Sequence, residues 1–397
     1  MRLLMLNNEF PPLGGGTGTV NLAILQRMAS MPGLEVDLIT SALGKRAEEV
    51  DFAERVRIFK VPVNNRIIHH STNRELIAYA SRSWFLAGRL HRARAYDLCF
   101  AWSAVPAGGV AWALRRTAGL PYLVRVGGPD IPGFEARYHL LYPVLTPMIR
   151  SIWRGAERVV AKCAGEAEMI RAVDKDVPIA LIPNGVELEA FPPASPPPES
   201  GPLRLLCVAR LIERKGQRLL IHAVKGLTDQ GIDVLLDLIG TGDAQASYEA
   251  QARALGMEEK VRFVGYVPRE RMAAHYAAAH AFVLPSDNEG MSVATLEAMA
   301  AGLPLVVTRT GGTDDLVEEG VNGWTFPRGD EESLMGHLRR LALDRSLARR
   351  LGEASRTRAA QFSWEQACDG YVHLFEKITC PARPRSSAGT CSSNPGR

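Results

Sequence analysis

No run of apolar residues in these 397 residues approaches the roughly 20 that a bilayer-spanning helix needs, and the opening MRLLMLNNEFPP has too short an apolar stretch for a signal peptide. The expected location is the cytoplasm. Cysteine is scarce and scattered: Cys99, Cys163, Cys207, Cys368, Cys380 and Cys391 form no CxxC pair and meet no histidine cluster, which indicates neither a zinc site nor a disulfide framework. Two nucleotide-binding signatures are also missing. In N-N-E-F-P-P-L-G-G-G-T-G-T-V, Gly14, Gly16 and Gly18 do not give G-x-G-x-x-G because Asn21 holds the last glycine's place, and no P-loop lysine follows. Asp174 and Asp176 spell D-x-D, but at a predicted helix end before Pro178, where aspartate caps and turns, so no metal site is read there.

What is present describes a globular α/β protein. Hydrophobic residues make up 46% and charged residues 23% of a chain long enough for two domains with cores of their own. Short apolar runs alternate with helix-length amphipathic segments, the pattern of a parallel sheet wrapped by crossover helices, and this happens twice. The first half reads as strands at Arg2–Leu6, Val36–Thr40, Val56–Val61, Leu98–Trp102, Tyr122–Val126, Arg158–Ala161 and Ala180–Ile182; the second at Leu203–Ala209, Val234–Ile239, Val261–Val264, Ala281–Leu284 and Leu305–Thr308. Domains are expected at 1–183 and 202–362, joined by a proline-rich linker at 184–201, with a helix over 363–378 and a disordered tail at 379–397. Two doubly wound domains joined this way face each other across a cleft at the carboxyl ends of their strands, where such folds bind ligands.

Charge is uneven. Lysine and arginine outnumber the acids in residues 1–183 and fall below them in 184–397, with an arginine-rich stretch from Arg66 to Arg125. A basic first domain points to an anionic partner. The segment R-Y-H-L-L-Y-P-V-L-T-P-M-I-R-S-I-W-R at 137–154 mixes aromatic and apolar residues with basic ends; it reads either as an interfacial membrane segment or as a Pro-interrupted helix packed on the sheet.

The most informative stretch is S-D-N-E-G-M-S-V-A-T-L-E at 286–297. Glu289 stands in a glycine-containing turn at the mouth of a predicted helix, and Glu297 lies about two turns inside it. Gly290 permits close backbone approach, and the free N–H groups of Met291, Ser292 and Val293 suit a phosphate. Two carboxylates flanking an anion site can take hydrogen bonds from sugar hydroxyls. In A-R-L-I-E-R-K-G-Q, Arg210 and Lys215 share one loop after a strand and can hold a diphosphate.

Together with P-N-G-V at 183–186, G-T-G-D at 240–243, F-V-G-Y-V at 263–267 and G-G-T-D-D-L-V-E-E-G-V-N-G-W at 311–324, these motifs resemble the retaining, nucleotide-sugar-dependent glycosyltransferases of the GT-B architecture, over roughly residues 1–378. The resemblance implies that Arg210 and Lys215 grip the donor diphosphate, Glu297 bonds its ribose, and Glu289 bonds the transferred sugar. Gly290, Met291 and Ser292 would offer N–H groups, Gly15 or Gly16 would close on the phosphate from the other domain, and Gly265, Tyr266 and Val267 would read the base. The 363–378 helix would cross back to the first domain. Many members carry a histidine after the first domain's middle strand; here Gly127 stands there, with Arg125 and Asp130 as candidate substitutes. His69, His70, His91 and His139 are read as surface residues. No metal or other cofactor is implied. The implied partners are a nucleoside diphosphate sugar, a glycan or lipid-linked acceptor and an anionic membrane surface, not nucleic acid. A nucleotide-sugar sensor that has lost turnover and a sugar-nucleotide epimerase share the architecture and remain the alternatives.

Overall fold

The structure is a computed structural model that describes residues 1–65, 71–135, 138–195, 198 and 200–380. The readings placed on Arg66, His69, His70 and Arg137, on part of the linker and on 381–397 lie outside the described residues.

Among the described residues the strands form two sheets. The first has the order β3-β4-β2-β1-β5-β6-β7-β8, built from β1 (Arg2–Leu6), β2 (Glu35–Ala42), β3 (Glu48–Ala53), β4 (Val56–Pro62), β5 (Leu98–Trp102), β6 (Tyr122–Arg125), β7 (Arg158–Ala161) and β8 (Ile179–Leu181). The second has the order β11-β10-β9-β12-β13-β14, built from β9 (Leu203–Val208), β10 (Val234–Ile239), β11 (Val261–Gly265), β12 (Ala281–Leu284), β13 (Leu305–Thr308) and β14 (Gly323–Phe326). All pairings are parallel except β3 on β4. The central strands are continuous apolar runs because helices cover both faces. Two edge strands escape the sequence reading. β3, E-E-V-D-F-A, is mostly exposed and has no apolar pattern, and β14, G-W-T-F, is a four-residue run following a glycine turn.

The helices are α1 (Gly16–Ala29), α2 (Asn73–Arg94), α3 (Gly109–Ala118), α4 (Tyr142–Gly155), α5 (Ala164–Val173), α6 (Gln217–Asp229), α7 (Gln245–Ala254), α8 (Arg269–Ala277), α9 (Val293–Ala300), α10 (Glu331–Leu343), α11 (Arg345–Ala359) and α12 (Trp364–Thr379). One face of the first sheet is covered by α2, α3, α4 and α5, through Tyr79, Leu114, Trp153 and Ile170. The other face takes α1 and α12. Ser363 caps α12 by accepting from the Gln366 N–H at 3.1 Å, and the helix lays Tyr371 and Phe375 against Phe100 with ring centroids 5.1 and 5.5 Å apart. The last described helix therefore returns to the first sheet after the chain has completed the second. Losing an aromatic ring from such a core typically costs about 3–5 kcal/mol.

The proline-rich connection is fastened rather than loose. Val186 donates to Phe362 O at 2.7 Å, Phe191 is buried in the second core, and Ala194 donates to Ala301 O at 2.7 Å.

Candidate active site

The loops at the carboxyl ends of β9 and β12 meet over the second sheet. After β9 the chain makes a short turn at Glu213–Lys215 and reverses at Gly216, whose φ is +70°. A side chain at Gly216 would strike the Pro285 carbonyl, so glycine is required both for its conformation and for the close approach. The turn brings the Lys215 ammonium onto the Glu289 carboxylate as a direct ion pair, both side chains largely buried. Burial pushes the Glu289 carboxyl upward, but the charges of Lys215 and Arg214 outweigh it and hold the group below the usual carboxylate range.

Arg214, next to Lys215, braces the same loops from the side. Its Nη1 donates to Asn288 O at 2.7 Å, its Nε lies 3.3 Å from Glu135 of the first domain, and Asn288 Nδ2 donates to Phe134 O at 2.9 Å. Sequence reasoning selected its neighbours Arg210 and Lys215 and passed over Arg214, although all three stand in one motif.

Ser292 caps α9 by accepting from the Thr295 N–H at 3.3 Å, which confirms a helix start immediately after Glu289-Gly290-Met291. Glu297 sits on the second turn of α9, nearly buried, and takes a hydrogen bond of 2.9 Å from the Tyr276 hydroxyl. Burial raises its pKa above the ordinary carboxylate range. Tyr276 was missed because an aromatic on the buried face of a helix carries only a core signal in the sequence.

The glycine-rich turn of the first domain lies across the cleft from this helix start. A side chain on Gly16 would sit 3.9 Å from Val293 Cγ2, while the side of Gly15 is open. Beneath the turn, Glu9 accepts from the Gly15 N–H near Arg210; burial raises its pKa and the Arg210 charge opposes that rise. The first turn of α1 and the first turn of α9 thus face each other, with Arg210, Lys215 and Glu289 around them. Gly290 touches the first domain as well: a Cβ there would collide with Glu166 Oε1, and Glu166 is paired with Lys162, whose Nζ donates to Val126 O at 2.9 Å. Neither Lys162 nor Glu166 was picked out in the sequence, where they read as ordinary charges at a helix start.

Gly265 ends β11 at the edge of the second sheet, and Tyr266 and Val267 follow it. Gly265 has φ +79° and its carbonyl accepts from the Gly240 N–H at 2.9 Å; Tyr266 is 63% exposed. Around Gly127, the Asp130 carboxylate accepts from the Ala104 N–H at 2.6 Å and the Gly127 N–H at 2.7 Å, so both its oxygens are occupied in fixing the loop. Arg125 does not enter the cleft in place of a histidine. Its Nε donates to the Tyr371 hydroxyl at 2.9 Å, its Nη2 to Asn184 Oδ1 at 2.5 Å, and its guanidinium stacks 4.5 Å from the Trp102 ring centre. Asn184 in turn donates from Nδ2 to Met291 O at 2.9 Å. This buried relay ties β6, the start of the linker and the Glu289 loop into one unit, and it gives a physical role to the Asn of P-N-G-V. Asp174 of the D-x-D pair receives Arg154 at 2.6 Å and Arg150 at 3.3 Å, so guanidinium groups occupy the carboxylate that a metal would use.

Residues 192–358 match the family described as glycosyl transferases group 1, and residues 15–185 match the glycosyl transferase 4-like domain. A GDP-mannose-dependent phosphatidylinositol monomannoside mannosyltransferase of Mycolicibacterium smegmatis is 27% identical over 89% of this chain and 92% of its own. An amylovoran biosynthesis glycosyltransferase of Erwinia amylovora is 40% identical over 36% of each chain, so that match spans about a third of the relative's length. Among solved structures, sucrose-phosphate synthase of Thermosynechococcus elongatus superposes with a TM-score of 0.84 at 22% identity over 95% of this chain and 99% of that one. The lipopolysaccharide glycosyltransferase WaaG superposes with a TM-score of 0.72 at 18% identity over 95% and 100%. The two facing sheets, the helix that returns to the first of them and these matches lead to one conclusion: residues 192–358 belong to the glycosyl transferases group 1 family, residues 15–185 to the glycosyl transferase 4-like domain, and the chain has the GT-B fold of the glycosyltransferases.

Proposed function

We propose that this glycosyltransferase moves a hexose from a nucleoside diphosphate sugar to a lipid-linked or polysaccharide acceptor in cell-surface glycan synthesis, with retention at the anomeric carbon and without a metal. The observation that carries the reading is the Lys215–Glu289 pair at the start of α9, facing the Gly15–Gly16 turn across the cleft. A donor diphosphate entering between the two helix starts replaces Glu289 as the counter-ion of Lys215, with Arg210 beside it. Glu289, released and ionised, then accepts from hydroxyls of the transferred sugar, while Glu297 takes the ribose and the backbone at Gly290, Met291 and Ser292 supplies N–H donors. The residues Gly265 to Val267 lie along the edge where the base would rest. As the bond from the anomeric carbon to the diphosphate breaks, Arg210, Lys215 and the α9 dipole stabilise the charge on the departing oxygen. That oxygen takes the proton of the acceptor hydroxyl as the latter attacks on the same face, so no protein nucleophile is needed.

The acceptor is assigned to the first domain, where a cavity of about 270 Å³ lies between Phe10–Leu13 and Thr40, Ser41, Glu48 and Lys60. A lipid-linked acceptor and the basic first domain together favour work at an anionic membrane surface on the cytoplasmic side. No helix among the described residues is long and apolar enough to cross a membrane.

The test is incubation of the purified chain with UDP-, GDP- and ADP-sugars, with and without lipid-linked or glycan acceptors, reading nucleotide release and the anomeric configuration of the product by NMR. Release from one donor class with an α-linked product from an α-donor supports the reading. Inversion overturns retention. Binding without release under every acceptor condition overturns transfer in favour of a sugar-nucleotide sensor, and a new sugar nucleotide formed without acceptor indicates an epimerase.

A further inference from the structure

Four helices cover one face of the first sheet, and the composition of three of them, α2, α3 and α4, is unusual. More than half of the large apolar side chains exposed among the described residues lie on α2, on α4 or just before α4. On α2 they are Ile77 and Phe85, each 70% exposed, and Trp84, whose ring lies 5.1 Å from that of Phe85. At the start of α4 they are Leu140 and Val144, 77% and 75% exposed, with Met148 one turn further on. Arg74, Arg82, Arg89 and Arg92 share the exposed side of α2. Among the described residues none of these four is paired with a carboxylate, whereas Arg150 and Arg154 of α4 are tied to Asp174. No carboxylate opposes the four arginines on these helices, because the only acidic residue in α2, α3 or α4 is Glu75, and it is buried in the cap of α2, bonded to the Thr72 N–H.

We infer that this layer is a docking surface for an anionic lipid bilayer, with Trp84 and Phe85 entering the headgroup region and the α2 arginines meeting lipid phosphates. A solvated surface helix would place carboxylates among its arginines and keep large apolar residues inward; α2 does neither. An exposed Trp-Phe pair within an arginine stripe combines apolar insertion with electrostatic attraction, the two contributions that hold a helix in the plane of a membrane interface. The placement suits the chemistry. Both α2 and α4 begin at the carboxyl ends of their strands, the end of the sheet that faces the cleft, so Ile77, Leu140 and Val144 lie toward the cleft rim. A lipid-linked acceptor could then present its sugar to the cleft while its tail stays in the bilayer. This step rests on the lipid-linked reading above.

The experiment is flotation of the full chain with vesicles of phosphatidylcholine alone or with about a third phosphatidylglycerol, at low salt and at 0.5 M salt, where exposed charges are screened within a few Å. The wild type is expected to float with the anionic vesicles at low salt. Trp84→Ser/Phe85→Ser and Arg82→Glu/Arg89→Glu are each expected to reduce flotation at least tenfold, while both keep wild-type nucleotide release from the donor in solution. No flotation at low salt, or undiminished flotation of both variants, overturns the inference. So does a concentration-dependent dimer that the Trp84/Phe85 variant abolishes without any vesicle binding, since the surface would then join two copies. Failed flotation with intact nucleotide release removes the docking surface and leaves the transferase reading standing; flotation without release from any donor does the reverse.

Discussion

The loops over the second sheet and the loops over the first handle their polar groups differently. Over the second sheet, Lys215 and Glu289 neutralise each other in a direct ion pair, which on the proposed reading a diphosphate and a sugar take apart. Over the first, Asp130 is bound to the N–H groups of Ala104 and Gly127, Lys162 to Val126 O and Glu166, and Arg125 to Asn184 and Tyr371. One side holds charges that a ligand can re-partner, and the other has committed its charges to holding loops in place. Chemistry at the donor is therefore expected to depend on single side chains of the second domain, and acceptor choice on the shape of the first.

The largest effect should come from Lys215→Ala, which removes the ion-pair partner of Glu289 and, on the proposed reading, a cation from the departing diphosphate; turnover should fall about 100-fold or more in a steady-state assay. Glu289→Ala should fall as far, with Glu289→Gln retaining more because the amide still accepts from hydroxyls. If Asp130→Asn in a folded protein cost as much as Lys215→Ala, the contrast between the two sides would be broken.

Next in size is the relay. Asn184→Ala leaves a buried arginine without one acceptor, a loss of about 1–3 kcal/mol in a denaturation midpoint experiment, and it frees Met291 O. Donor KM should rise with it, and Arg125→Lys combined with Asn184→Ala should cost less than the sum of the two, because they interrupt one chain of contacts.

A smaller and opposite pair of effects is expected at Glu297. Burial raises its folded pKa, so the protein loses stability as pH rises from the ordinary carboxylate value, about 4.3, through that raised value. Glu297→Gln should therefore melt at a higher temperature at pH 7 while binding its donor about tenfold more weakly, the scale of one hydrogen bond to a charged group. Tyr276→Phe should share the loss of affinity. Glu289 behaves in reverse. Its depressed pKa contributes stability above about 4.3 that fades as pH falls through the lower folded value, so an acid titration of the melting temperature should lose less in Glu289→Gln than in the wild type.

Much of this arrangement is legible in the sequence because it is local. Gly290 beside Glu289, a helix start at Met291–Val293, Glu297 two turns on and the Arg210–Lys215 loop all follow from spacing along one strand, turn and helix. What escaped is long-range or edge-like. Asn184 meets Arg125 and Met291 through contacts that no periodicity announces, Glu166 touches Gly290 only because two domains close on each other, and β3 and β14 pair at sheet edges with little apolar signal of their own. Helix α12 is legible as a helix because a serine cap candidate at Ser363 precedes a Trp364, Ala367 and Tyr371 stripe that marks one buried face, while its return to the first sheet is what the family resemblance implied.

The most direct measurement is the melting temperature of the wild type, Lys215→Ala and Asp130→Asn with saturating UDP-, GDP- or ADP-sugar. A shift with one donor class that Lys215→Ala abolishes and Asp130→Asn preserves is the predicted result. A shift that survives Lys215→Ala, or one that only Asp130→Asn removes, would contradict the assignment of the donor site to the second domain.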